Sequence, residues 1–245
     1  TYGDGDMGSL IESASSIQQT TDGGYIVAGM WAYGAGNSAL WALKLSGDLS
    51  VVWQKAFGGA WDDAASSIQQ TADGGYIVAG YYSWSSGLGK DDLWALKLNG
   101  DGSVAWQKSY GGSFTDQAAS IRQTTDGGYI VAGSTWSFGT QKGDFWVLKR
   151  NGDGSVAWQK SYGGSFTESG GSIQQTTDGG YIVSGFATSF GAGNWDMWIM
   201  KLPMDGSIAF APASGAYVTG TTATVTTTGV VGQNTGISPL SISVE

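Results

Sequence analysis

Histidine and cysteine are both absent from this chain of 245 residues. Without histidine, neither Ser-His-Asp nor Cys-His nucleophilic machinery can be assembled, and histidine-ligated zinc or copper sites are excluded. Without cysteine there is no disulfide framework, no thiol catalysis and no thiolate metal site. Proline is scarce: the chain holds three, Pro203, Pro212 and Pro239, all within the last 43 positions. Basic residues are few, 11 against 20 acidic, for a formal net charge of −9. Such a surface repels nucleic acid and anionic membranes, so neither is expected as a partner. No run of 18 apolar residues occurs, and the N-terminus lacks the basic, apolar and small-residue order of a signal peptide, so no membrane span and no uncleaved signal are expected. The chain opens at Thr1 without Met, as a mature or excised fragment would.

Glycine and aromatics are plentiful instead. With 41% apolar residues, 12 Trp, 11 Tyr and 8 Phe, the chain can build a large core, so the 42 Gly mark turns and close packing rather than disorder.

One string organises everything else. DGGYIVAG occurs at 22–29, 73–80 and 126–133 and returns as DGGYIVSG at 178–185, a spacing of 51, 53 and 52 residues. SIQQ or SIRQ precedes each copy; W-x-L-K or W-I-M-K follows it; WQK closes three of the four. Within each unit the β-rich runs pair up around turn signals. SIQQT and GYIVAG flank DGG, and after a variable loop LWALKL and VAWQKSY flank NGDGS. Four antiparallel strands, a to d, therefore recur about every 52 residues with no helical periodicity, which is the pattern of a β-propeller blade. The fold class expected is all-β, a propeller of four blades spanning residues 1–212. The Thr-rich stretch 213–245 forms a separate tail that closes the ring, caps it, completes a fifth blade, or donates a strand to a neighbour in a homo-oligomer or filament.

The DGGYIVAG, WVLK and WQKSYGG strings resemble a repeat of secreted and surface-associated bacterial and archaeal proteins, and the match covers about 210 residues in four copies. The resemblance implies a propeller and an extracellular or cell-surface location. It carries no general activity. The first copy departs from the pattern at SALW and the fourth at IAFAP, as terminal repeats do.

Most charges belong to the repeat. Asp22, Asp73, Asp126 and Asp178 open the a–b turn, and Asp48, Asp101, Asp153 and Asp205 sit in the c–d turn, both positions read as turn chemistry. Lys44, Lys97, Lys149 and Lys201 recur in strand c and read as outward guards against edge pairing. Glu12, Asp63, Asp116 and Glu168 lie four residues before each SIQQ or SIRQ start, one per unit. Two readings stand for them: a ring of carboxylates that could hold Ca2+, or four groups that each accept backbone N–H bonds or pair with a lysine of a neighbouring blade.

The b–c loops vary most between copies and carry the candidate ligand-binding aromatics Trp31, Tyr33, Tyr82, Trp84, Trp136, Phe138, Phe190 and Trp195. Such rings either stack on sugars or plug grooves between blades. The expected function is a non-enzymatic surface scaffold or interaction module with a protein or glycan partner. The rivals are lectin-like carbohydrate binding, self-assembly through the tail, and a glycoside hydrolase pairing Asp62 or Asp91 with one of the repeated carboxylates.

Overall fold

The computed structural model describes residues 12–32, 37–59, 61–83, 91–190 and 194–208. Those residues form strands and no helix, in four antiparallel sheets. The first holds β1 (Glu12–Gln19), β2 (Tyr25–Ala32), β3 (Ser38–Leu45) and β4 (Val51–Phe57). The second holds β5 (Asp63–Gln70), β6 (Tyr76–Ser83), β7 (Asp91–Leu98) and β8 (Val104–Tyr110). The third holds β9 (Asp116–Gln123), β10 (Tyr129–Thr135), β11 (Asp144–Arg150) and β12 (Val156–Tyr162). The fourth shows three strands among the described residues, β13 (Glu168–Gln175), β14 (Tyr181–Ala187) and β15 (Asp196–Leu202). In every sheet the strands neighbour one another in chain order, so each repeat is a meander of hairpins. The described residues fall into two compact units, one running to Ser109 and the other beginning at Tyr110. The tail assigned to residues 213–245 lies outside the described residues.

The three glycines of DGGYIVAG meet three different demands. Gly23 stands at φ +81°, in the left-handed region that a turn of this kind needs. Gly24 faces the Leu45 carbonyl and the Lys44 ammonium so closely that a Cβ would collide with both. Gly29 sits opposite a bulge in β1, where the register slips between Ala14 and Ser16 and the Ser13 carbonyl occupies the place of a side chain. The same three contacts recur at Gly74, Gly75 and Gly80 in the second sheet.

Both faces of each YIVA strand are apolar because both can be covered. In the first unit Ile26, Ala28, Leu40 and Ala42 of one sheet pack into a single core with Ile68, Tyr76, Val78, Trp94, Leu96 and Leu98 of the next. In the second unit Ile130, Ala132, Phe145 and Val147 meet Ile173, Tyr181, Val183, Met200 and Leu202. The rule is the same in each: the Ile-Ala face of one sheet lies on the Tyr-Val face of its successor. Polar groups fix the stacking. The Ser16 hydroxyl accepts from Ile68 N (3.2 Å) and the Gln18 side chain from Gln70 N (2.7 Å), while the Gln70 side chain accepts from Thr21 N (2.8 Å). The second unit repeats the last bond, Thr125 N donating to Gln175 Oε1 at 2.9 Å. Glutamines of the SIQQ strings thus tie a strand to the turn of the preceding sheet.

Candidate functional site

The a–b turn is locked by an ion pair that reaches from two strands away. Asp22 accepts from Thr20 Oγ1 (2.5 Å), from its own turn at Gly24 N (3.0 Å) and from Lys44 Nζ, whose closest approach is 2.9 Å. These bonds, that from Thr20 foremost, hold the Asp22 carboxyl well below the usual range. The pairs Lys97–Asp73, Lys149–Asp126 and Lys201–Asp178 repeat the arrangement at 2.9, 2.9 and 2.7 Å. Lys44, Lys97 and Lys149 are buried, which corrects their reading as outward edge guards. Strand c is an interior strand of each four-stranded sheet, so its lysine has no open edge to protect.

At the opposite end of the second, third and fourth sheets the strand-a carboxylates act as clamps. Asp63 is fully buried and accepts from Gly59 N (2.7 Å) and Ser83 N (2.9 Å), joining the linker before its strand to the end of strand b. Asp116 accepts from Gly112 N (2.8 Å), Ser137 Oγ (2.6 Å) and Thr135 Oγ1 (2.5 Å). Glu168 accepts from Gly164 N (2.8 Å) and Ser189 N (3.0 Å). Glu12, at the start of β1, is half-buried. Burial pushes the Asp63 carboxyl up to about 7, its backbone N–H bonds opposing the rise and the Asp62 and Asp91 charges adding to it. Burial raises Asp116 as well. Among the described residues no group of three or more acidic side chains is gathered so as to hold a metal ion. The geometry of Asp63, Asp116 and Glu168 is that of local backbone satisfaction.

The acids named for hydrolysis do lie near one another. Asp62 is exposed and accepts from Ser38 Oγ (3.1 Å), Asp91 is half-buried and accepts from Ser83 Oγ (2.6 Å), and both charges reach Asp63. Asp63 itself has the raised affinity for a proton that a general acid needs, but it has no exposure, and both of its oxygens take backbone N–H bonds. In the second unit Asp144 and Glu168 flank Gly163, where a Cβ would touch both carboxylates. Burial first, then the charge of Glu168, raises Asp144.

The loop aromatics divide sharply. Trp31 packs, half-buried, against Trp41, Leu43 and Leu45. Tyr82, which lies in β6 rather than in a loop, tilts onto Trp94 (ring centroids 5.5 Å), and the loop rings Phe138 and Phe190 tilt onto Trp146 (5.4 Å) and Trp198 (5.3 Å), the strand-c tryptophan in each case. Trp136 is half-buried beneath Gly143. Trp195 is different: it is 69% exposed and lies over Phe186 at 4.0 Å. Tyr33 and Trp84 lie outside the described residues.

A second set of aromatics, not singled out from the sequence, is open to solvent. Trp61, Phe114 and Phe166 occupy one repeat position, two residues before Asp63, Asp116 and Glu168, and are 38%, 48% and 62% exposed. The linkers of Phe114 and Phe166 are tied down by hydrogen bonds. The backbone N–H of Phe114 donates to Ser137 Oγ (3.0 Å) and that of Phe166 to Ser189 Oγ (2.8 Å), so the buried clamps hold these rings out beside the b–c loop. Aligning the copies on the strand-a carboxylate reveals the set, since the position is aromatic in the second, third and fourth repeats.

No protein-family model and no curated protein matches the chain.

Proposed function

We propose that the chain is a non-enzymatic, extracellular scaffold of β-propeller type that presents aromatic side chains from one end of its blades to a binding partner. The repeat count supports four blades, or five with residues 213–245 completing another. The observation that carries the reading is one repeat position, occupied by Trp61, Phe114 and Phe166: large apolar rings, each exposed at the same place in its own sheet, on backbone bonded to buried carboxylates. Rigid exposed aromatics supply contact area at low entropic cost, as binding surfaces do. The buried acids support the non-enzymatic side of the reading, because Asp63, Asp116 and Glu168 have no exposure and spend their oxygens on bonds within the fold.

Carbohydrate is the second reading, favoured by Trp195, a broad exposed ring on the same end of the fourth sheet as Phe166. The test is an array of glycans and extracellular proteins probed with the wild type and with a Trp61→Ala/Phe114→Ala/Phe166→Ala variant. Retention by the wild type that the variant loses, at unchanged melting temperature, supports the proposal; glycan spots alone support the carbohydrate reading. Equal retention by both chains refutes these rings as the binding residues.

A further inference from the structure

The fourth sheet carries a face whose counterparts are covered elsewhere. Its positions are Ile182, Ser184 and Phe186 on β14 and Met197, Ile199 and Lys201 on β15, paired Ile182 with Lys201, Ser184 with Ile199 and Phe186 with Met197. In the first sheet the equivalent Ile26, Leu40, Ala42 and Lys44 are buried; in the third, Ile130, Phe145, Val147 and Lys149 are buried. In both, a neighbouring sheet supplies the cover. In the fourth sheet Met197 is 80%, Ile199 57% and Ile182 37% exposed, and the Lys201 side chain is 47% exposed where Lys44 and Lys149 show 5% and 8%. Trp195, lying over Phe186, extends the same open surface at the entry to β15. An apolar strand face opened in this way marks an interaction surface.

This face is complementary to itself. Read along the strand it runs Trp195, Met197, Ile199, Lys201, with an aromatic ring at one end, a cation at the other and Ile199 midway. Its six paired positions hold no carboxylate, and Asp178 at its edge is already paired with Lys201, so the net charge of −9 that drives two copies apart is not concentrated here. We propose that two copies of this chain pair through this face about a two-fold axis that crosses β15 at Ile199, the two β15 strands running in opposite directions. Twisted sheets pack face to face in this way, about 10 Å apart with their strands aligned to within about 30°. In this register Lys201 of each copy lies opposite Met197 of the other and beside its Trp195 ring, where a cation–π contact forms. Trp195, Met197, Ile199 and Ile182 present about 500 Å² on each copy, so the pair buries upwards of about 1,000 Å², the size of a specific interface. The contact is isologous and closes at the dimer. It goes beyond the proposed function, whose rings Trp61, Phe114 and Phe166 it does not use; it does engage Trp195, so a glycan held by that ring competes with it.

The test uses the full chain in sedimentation velocity over a wide concentration range. The weight-average mass of the wild type is expected to rise to twice that of the monomer and no further. Ile199→Lys, at a position already exposed, abolishes the rise. Should circular dichroism show that variant unfolded, Met197→Lys replaces it with the same expectation. Cysteine variants read the register in a chain with no cysteine of its own. At a concentration where the wild type is dimeric, a thiol cross-linker of about 10 Å reach, the spacing of two stacked sheets, joins Ile199→Cys chains into covalent dimers. It leaves Ala157→Cys chains, altered at an exposed position of the third sheet, single. A wild type that stays monomeric at every concentration overturns the proposal and leaves the face to residues 213–245 or to a different protein. Mass that grows beyond the dimer, association that survives Ile199→Lys, or equal cross-linking of the two cysteine variants overturns it as well. Trp61→Ala/Phe114→Ala/Phe166→Ala leaves association unchanged, which separates failure of this contact from failure of those rings.

Discussion

Lys97 and Asp73 meet at 2.9 Å, yet the two side chains live in different surroundings: Lys97 is 7% exposed and Asp73 63%. The pair is therefore asymmetric. Removing the carboxylate strands a buried ammonium, whereas removing the ammonium leaves a carboxylate that water and its own turn still satisfy through Thr71 and Gly75. Burial alone would raise Asp73, but the bonds from Thr71, Lys97 and Gly75 together hold it at about 2.

The first prediction is an inequality. Asp73→Ala destabilises by about 3 kcal/mol, the cost of an uncompensated buried charge. Lys97→Met costs about 1 kcal/mol, since it replaces the buried cation with an apolar chain of similar length. Urea denaturation of both variants checks the order, and equal losses would contradict the asymmetry.

Arg150 yields a change in the opposite direction. It occupies the position held by Leu45, Leu98 and Leu202 in the other repeats, is buried, and stacks on the Tyr110 ring at 3.1 Å, with none of its three guanidinium nitrogens hydrogen-bonded. Burial lowers it to about 10. Arg150→Leu restores the repeat consensus and raises stability by about 1 to 4 kcal/mol, the range found when buried ionic groups give way to packed apolar ones. Differential scanning calorimetry reads the shift; a lower melting temperature would show that the cation–π contact outweighs desolvation.

Asp63 sets a pH dependence. Its folded-state affinity for a proton, raised to about 7 from an ordinary value of 3.8, exceeds that of the unfolded chain. Its contribution to stability is complete below about pH 4 and is lost as pH climbs through 7, by at most about 4 kcal/mol. The depressed turn aspartates act the other way: their contribution is full above about pH 4 and is lost as pH falls from there through about 2. Comparing wild type and Asp63→Asn at pH 4.5 and at pH 8 isolates the group: the variant gains on the wild type at the higher pH. A constant difference between them would count against a protonated Asp63.

The glycines separate two kinds of cost. Gly127 stands at φ +78° in open space, so Gly127→Ala pays backbone strain alone, about 1 to 2 kcal/mol. Gly133 faces the Gln117 carbonyl across the β9 bulge, and there a methyl group collides with backbone that cannot yield. Gly133→Ala is the more damaging of the two in thermal unfolding.

The hairpins were legible because alternation and the DGG and Gly/Asp turns speak locally; the a–b hairpin follows them in all four sheets and the c–d hairpin in the first three. Strand-c lysines were misread because a strand string does not reveal that the side chain curls back to the turn joining strands a and b. The joint recurrence of Asp22 with Lys44, and of Asp73 with Lys97, is the signal that pairs them. Two-sided burial of YIVA was readable as sheet stacking, but its polarity, Ile-Ala onto Tyr-Val, depends on packing that the strings do not display. Trp195 lies in a variable b–c loop, where differences between copies point to it; Trp61, Phe114 and Phe166 do not stand out in the strings, because their exposure depends on the clamps below them.

The most direct measurement of the central claim is the binding of the wild type and of Trp61→Ala/Phe114→Ala/Phe166→Ala on the same array of glycans and extracellular proteins, with melting temperatures taken alongside. The account predicts partners retained by the wild type and lost by a variant that melts like it. Identical binding by both chains would contradict it.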